Sequence, residues 1–302
     1  MQRTAAQNWI KSLLAVPRAW TRFWFEPIDA SCVNVVRQGV GVLVGLLFLW
    51  SWFWVPDWLS ADGWLGIDAG RYFIGDGMPG TGSEYRWSLL YPLATPIVGR
   101  VICVLGLVAG VLMVLGIARR WAPIGAWACM MMIHHRAPWL TMPAEVLACA
   151  ALLYLSIEPG TAMFRKQREA VRDEPSSVLA NLALRCLQVH WILWAGFSLA
   201  SMFQQTPWWD GTALAILSEQ GSGWFGKILR GGWFAQILGV LALLLQASSL
   251  LCLCNRSLRG LGILLTMVLG ISHLLLAGDW SMGLVACCYS LAFLPYVEPE
   301  KI

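Results

Sequence analysis

Charge is what this chain has least of. Asp, Glu, Lys and Arg make up 13% of its 302 residues, where a soluble domain carries about 25%. That shortage, set against 58% hydrophobic residues, excludes an ordinary water-soluble globular protein. The net charge of +4 is spread over short loops between apolar runs, which argues for orientation in a bilayer and against nucleic acid as a partner. No compact apolar stretch ahead of a small-residue cleavage site opens the sequence, so its start is not read as a cleavable signal peptide. The nine cysteines (32, 103, 129, 149, 186, 252, 254, 287 and 288) form no spaced framework in an aqueous loop, which leaves disulfides and zinc sites without support. Cys252 and Cys254 read as small apolar core residues rather than a ligand pair, and Cys287–Cys288 likewise. Internal repeats are not evident, and the alternation that barrel strands show is absent.

What is present is a series of eight apolar runs, at about 30–55, 97–118, 121–138, 141–158, 178–203, 233–254, 258–277 and 280–297. A run of roughly 20 apolar residues spans the hydrocarbon core. There every backbone N–H and C=O must be satisfied within the protein, so unbroken Leu-, Ala- and Gly-rich runs imply helices. The expected fold is all-α: a polytopic integral membrane bundle of about eight transmembrane helices. The third and fourth runs are the weakest, because His134, His135, Arg136 and Pro138 crowd the turn between them.

Basic residues supply an orientation. With eight crossings, one side holds Arg3, Lys11, Arg18, Arg22, Arg119, Arg120, Arg165, Lys166, Arg168, Arg172, Arg256, Arg259 and Lys301; the other holds only Arg71, Arg86, Arg136, Lys227 and Arg230. The positive-inside rule then gives cytoplasmic N- and C-termini, and the expected location is the cell (inner) membrane. Residues 1–28 read as an amphipathic interfacial segment, since Trp9, Leu13, Val16, Trp20 and Phe23/Trp24 recur at helical spacing apart from Lys11, Arg18 and Arg22. Residues 29–297 form the bundle, and 298–302 a cytoplasmic tail. The glycine run Gly75–Gly82 lacks the Lys-Ser/Thr of a phosphate loop. Residues 161–177 read as solvated loop.

Polar side chains inside a bilayer are costly and mark function. At about 1.5 Å per residue, His190 lies roughly 18 Å into the fifth run, and His273 and the His134/His135 pair roughly 20 Å from the same surface. Glu145, counted back along the fourth run, reaches a similar level. These five are the candidate catalytic residues, lining a polar chamber that opens outward, with Arg136 and Asp279 near its mouth. Imidazole shuttles protons near neutral pH and a carboxylate can orient it. Three histidines and a Glu on separate helices could also hold a metal, but none is assigned. The alternative is that each His bonds a neighbouring helix.

Four stretches resemble the horizontally transferred transmembrane (HTTM) family, whose eukaryotic relatives include vitamin K-dependent gamma-carboxylase. FEPIDASCVNVVRQGVGVL looks like the family's F-x-P-x-D opening before an Arg-bearing first span. LGIARRWAPIG, followed by HHRAPWLTMPAEVLACAALLYLSIEP, is similar to its glycine turn and the acidic residue before its fourth span. LQVHWILWAGFSLASMFQQTPWWDGTAL looks like the span ending in a Trp-Asp-Gly motif, and LGISHLLLAGDWSMGLVACCYSLAFLP like its closing His-bearing span. The resemblance covers about Phe25 to Pro295. Ligand contact is expected at Arg136, Trp208, Trp209, Asp210, Gly211 and Asp279, with the Trp208–Gly211 segment turning the chain back over the chamber.

One departure matters. Family members carry a lysine before the Trp-Asp-Gly motif, implicated as the catalytic base in the carboxylases, whereas this chain reads Ser201-Met202-Phe203-Gln204 with no Lys or Arg between Arg185 and Lys227. Gamma-carboxylation is therefore not expected. The reading is a membrane protein that binds or processes a lipophilic small molecule, quinone- or lipid-like, with no cofactor identified. The other reading is a non-catalytic anchor for a membrane-associated, redox-type protein partner. A transporter is disfavoured, because no inverted repeat or broken-helix pair is visible.

Overall fold

The computed structural model describes residues 17–64, 66, 88–158, 177–214, 216, 233–277 and 279–294. The expectations for residues 1–16, Gly75–Gly82, 161–176, 217–232 and the tail at 298–302 lie outside these. Every apolar run becomes a helix. The order is α1 (residues 17–25), α2 (Ser31–Trp58), α3 (Pro96–Val114), α4 (Trp121–Arg136), α5 (Pro143–Ile157), α6 (Val178–Gln204), α7 (Thr206–Asp210), α8 (Trp233–Cys254), α9 (Arg259–Ala277) and α10 (Trp280–Leu291). No strand occurs among the described residues; one isolated antiparallel bridge joins Ile28 to Ser177. Helices α2, α3, α6, α8 and α9 are long and apolar enough to cross a membrane. Helices α4, α5 and α10, with 16, 15 and 12 residues, are shorter.

The helix starts are written in local sequence. Thr95 accepts a hydrogen bond from Val98 N–H with Pro96 at the first position of α3, Ser177 accepts from Ala180 N–H on α6, and Asp279 accepts from Met282 N–H on α10. Each caps an N–H that has no partner within its own helix, and proline costs nothing there because that position needs no donor.

On α3 the larger side chains Ile97, Val101, Leu105 and Val108 point outward and are exposed, while the buried face sets Gly99, Gly106, Ala109 and Gly110 among Ile102, Cys103 and Met113. A face of branched apolar side chains suits lipid, and small residues let backbones approach where no hydrophobic force drives helices together. Helix α2 lies in that glycine groove. A Cβ added at Gly110 would sit 2.9 Å from the Gly41 carbonyl oxygen, and one at Gly99 would sit 2.6 Å from Val55. Polar side chains tie other helices: Gln246 Nε2 donates to the Ala195 carbonyl (3.1 Å) and Gln188 Nε2 to that of Ala292 (2.6 Å). Such bonds contribute about 0.6 kcal/mol each in membrane bundles.

Helix α1 is docked at one end, called here the near end. Asn181 Nδ2 and Arg185 Nε both donate to the Phe23 carbonyl (2.9 and 3.2 Å), and the Arg185 guanidinium lies 4.4 Å from the Phe23 ring centroid. Trp20 is exposed and Trp24 half-buried, so the aromatic residues of this segment divide between surface and bundle.

At the opposite, far end, Gly211 closes α7 with φ +81°, a left-handed conformation that costs glycine little. A Cβ there would also collide with the Gln236 amide at the start of α8. Replacing Gly211 with Ala is expected to cost about 1–3 kcal/mol. This reads out as a lowered unfolding temperature in detergent; an unchanged temperature would show that the turn relaxes freely.

Candidate functional site

The proposed site residues fall into separate groups. The first joins the last turn of α4 to the first turn of α5, at the far end. Pro143 opens α5 and Glu145 is its third residue, from which the carboxylate reaches back to accept the Met142 N–H at 3.0 Å. That closes an exposed backbone donor and sets negative charge at the positive end of the helix. The same carboxylate oxygen, Oε2, lies 3.4 Å from His134 Nε2. Cys149 follows Glu145 by four residues, hence on the same face of α5, and its Sγ lies 3.8 Å from His134 Nδ1. The imidazole is thus held between a carboxylate and a thiol.

Segment 88–94 braces this group. Ser88 Oγ donates to the Met132 carbonyl at 2.7 Å and Tyr91 OH to that of His135 at 3.0 Å. The His135 carbonyl is one of the last four of α4, which have no partner within the helix; the Met132 carbonyl lies just before them. Arg136 is fully buried, with its guanidinium 5.6 Å from the Tyr91 ring centroid.

The second group lies on the flank of α5 and α6. His190 Nδ1 is 2.9 Å from Tyr154 OH. Both line a groove of about 390 Å³ with Trp24, Cys186, Val189, Leu193, Trp194 and Phe197. Leu193 and Phe197 are exposed, so the groove opens sideways onto the apolar surface, with α1 contributing Trp24. Tyr289 stands next to it. Its ring stacks on Trp191 at 5.3 Å and lies 6.3 Å from that of His190, while its hydroxyl donates to the Leu147 carbonyl at 2.8 Å.

A single ring of His134/His135, Glu145, His190 and His273 at one depth is not formed. Glu145 and Tyr154 are nine residues apart on α5, about 14 Å along its axis, and the two histidine centres are anchored to those two positions. Counting Cα rise misplaced His190 because side chains lean toward the start of their own helix. In the antiparallel pair α5 and α6, Tyr154 leans toward the far end and His190 toward the near end, so they meet between. His273 is separated laterally. Its helix α9 packs chiefly on α8 and α10, which stand between it and α5 and α6. It is half-buried, within electrostatic range of Asp279.

The remaining candidates serve the backbone. Asp279 Oδ1 accepts from Met282 N–H (3.0 Å) and Ser281 Oγ (2.6 Å), capping α10. Asp210 Oδ1 accepts from the Thr212 N–H (2.9 Å) and hydroxyl (2.6 Å), and these bonds hold its carboxyl below the usual carboxylate range. Trp209 Nε1 donates to the Phe203 carbonyl at 3.0 Å, with the rings 5.6 Å apart. Trp208 passes its carbonyl close to Gly239 of α8. The Trp208–Gly211 segment therefore turns the chain against α6 and α8.

Among the described residues, no three His, Cys, Asp or Glu side chains converge as a metal ion would need, and all nine cysteines are free. Sequence reading missed Tyr154, Tyr289 and Trp24. A tyrosine inside an apolar run, as in LLYLS and CCYSL, carries a hydroxyl that must find a partner, and that signal was available. The contribution of Trp24 depends on where α1 docks. No protein-family model matches the chain, and no curated protein or solved structure matches it significantly. The fold itself defines the class: an all-helical protein whose apolar helices are suited to a lipid bilayer.

Proposed function

We propose that this protein binds a lipophilic small molecule in the groove beside His190 and Tyr154. One observation carries the reading: a hydrogen-bonded imidazole and phenol sit in a laterally open groove otherwise lined mainly by Trp, Leu, Val and Phe. A polar pair facing acyl chains costs free energy unless something pairs with it. A molecule entering from the bilayer, apolar over its length and polar at one end, meets that demand. The resemblance to the horizontally transferred transmembrane family points the same way, toward a quinone- or lipid-like ligand, while the absent lysine argues against gamma-carboxylation. The ligand enters from the side, in place of an outward chamber.

His190→Ala is expected to lower retention of a co-purifying lipophile at least tenfold, assayed by mass spectrometry of organic extracts, with helicity unchanged. Equal retention by the variant would remove the groove as the site.

In the topology that accompanies this reading, all eight apolar helices cross and both termini are cytoplasmic. In a cysteine-free background, single cysteines at residues 165–173 are expected to label from the cytoplasmic side, and those at 62–85 and 210–222 from the other. Labelling of 165–173 and 210 from one side would refute the eight-crossing count.

A second reading, an anchor for a membrane partner, is favoured by one feature. A groove of about 520 Å³ between α2, α9 and α10, lined by Leu46, Trp50, Phe53, Ile271 and Leu274 among others, is almost wholly apolar and would suit an apolar partner helix. Isolation of the protein only as a complex would support that reading.

A further inference from the structure

We infer that the His190 groove selects ligands carrying a hydrogen-bond acceptor, specifically a carbonyl oxygen, and discriminates against ligands that offer only a donor. This rests on the ligand-binding reading above and names the chemistry it requires. His190 and Tyr154 are joined by one hydrogen bond, Nδ1 to OH at 2.9 Å, and neither polar group has another hydrogen-bond partner among the described residues. Nε2 is not sealed in the interior, since it is not among the enclosed polar atoms that lack partners.

Two tautomers are available. If Nδ1–H donated to the phenol oxygen, both the phenol O–H and the Nε2 lone pair would be left unmet. If the phenol O–H donates to a bare Nδ1, the phenol hydrogen and Nδ1 are both satisfied, and the Nε2–H becomes the one unmet donor. In surroundings of Leu193, Trp194, Phe197 and Val189 an unmet polar group costs on the order of 1–3 kcal/mol, so the second arrangement prevails. Tyr154 therefore sets the tautomer, and the groove presents an N–H. The other polar-capable wall residues do not reverse this: Cys186 is a weak hydrogen-bonding group, and the indoles of Trp24 and Trp194 carry N–H donors and no acceptor. The complementary ligand group is a ketone or ester carbonyl on an apolar body. Two sources in a bilayer have that chemistry: the acyl ester of a phospholipid and the ring carbonyl of a free quinone.

The test uses the full-length protein in nanodiscs. In diether phospholipid, which lacks ester carbonyls, three probes of matched length are compared: a long-chain ketone, the corresponding primary amine and the alkane. Occupancy is read by each probe's displacement of a brominated long-chain ketone that quenches tryptophan fluorescence, and the Nε2–H by its 15N–1H resonance. The expected result is that the ketone binds about tenfold more tightly than either competitor and shifts the Nε2–H resonance. His190→Ala should remove this preference. Tyr154→Phe, which keeps the packing and frees the tautomer, should let the amine bind as well as the ketone. Equal binding of ketone, amine and alkane to the unaltered protein would overturn the selectivity while leaving the groove as a lipophile site. Binding of none would overturn the site as well. Two further arms separate the sources: diester nanodiscs without added quinone, and diether nanodiscs with a short-chain prenyl benzoquinone. A resonance shift in either supports the inference and identifies its source, whereas no shift in both overturns it.

Discussion

Arg37→Ala is expected to lose about 3–5 kcal/mol of stability. Arg37 lies on α2 with 1% of its surface exposed, and it bonds the end of α5. One guanidinium nitrogen donates to the carbonyls of Leu155 (3.2 Å) and Glu158, the other to Asn34 Oδ1 (3.0 Å). The last carbonyls of a helix have no partner within it, and a cation there also opposes the negative end of the helix dipole. Glu158 is buried too, and its carboxylate accepts from Ser177 Oγ at 2.5 Å, at the start of α6. Arg37 thus helps to secure the junction of α2, α5 and α6 at the near end, beside Arg120, whose Nε donates to the Ser156 carbonyl at 3.2 Å. Truncating Arg37 strands two carbonyls and removes a positive charge near the Glu158 carboxylate. Chemical unfolding in detergent measures the loss. Arg37→Lys should recover only part of it, because an ammonium lacks the planar fork that reaches Asn34 and the carbonyls together. Full stability in Arg37→Ala would mean that water or lipid headgroups replace the cap.

Gly110→Val is expected to separate α2 from α3 and cost about 3 kcal/mol. The obstacle is backbone rather than a movable side chain: a Cβ at Gly110 would lie 2.9 Å from the Gly41 oxygen, 3.0 Å from Gly45 N and 3.1 Å from its Cα. Side chains can rotate away from an added methyl, but a carbonyl locked in a helical hydrogen bond cannot. Thermal unfolding in detergent provides the measurement, with Gly125→Val as a control, since a Cβ at Gly125 meets nothing within 4 Å. Comparable losses in both variants would attribute the effect to β-branching in a helix instead of to contact between α2 and α3.

The amino-acid sequence by itself determined that the chain is helical and apolar, and where its helices lie. The reason is local: unbroken Leu-, Ala- and Gly-rich runs with caps such as Thr95, Ser177 and Asp279 admit only helix in a medium without water. Run boundaries at 178–203 and 233–254 match Val178–Gln204 and Trp233–Cys254 to within a residue. The pairing of His134 with Glu145 was half legible, since they belong to adjacent helices joined by a short turn.

Tertiary structure decided the rest. Which helices touch depends on the summed shape of whole faces, as where the glycines of α3 admit α2, and no single run encodes that sum. It sent His273 to a helix flanked by α8 and α10, away from the other histidines. It also set the antiparallel lean of Tyr154 and His190, which brings their side chains together across α5 and α6. And it placed Trp24, from a helix docked through Asn181 and Arg185, on the wall of the same groove. Sequence distance carries no trace of a contact 162 residues long, that of Arg185 with Phe23; only the packing of α1 against α6 creates it.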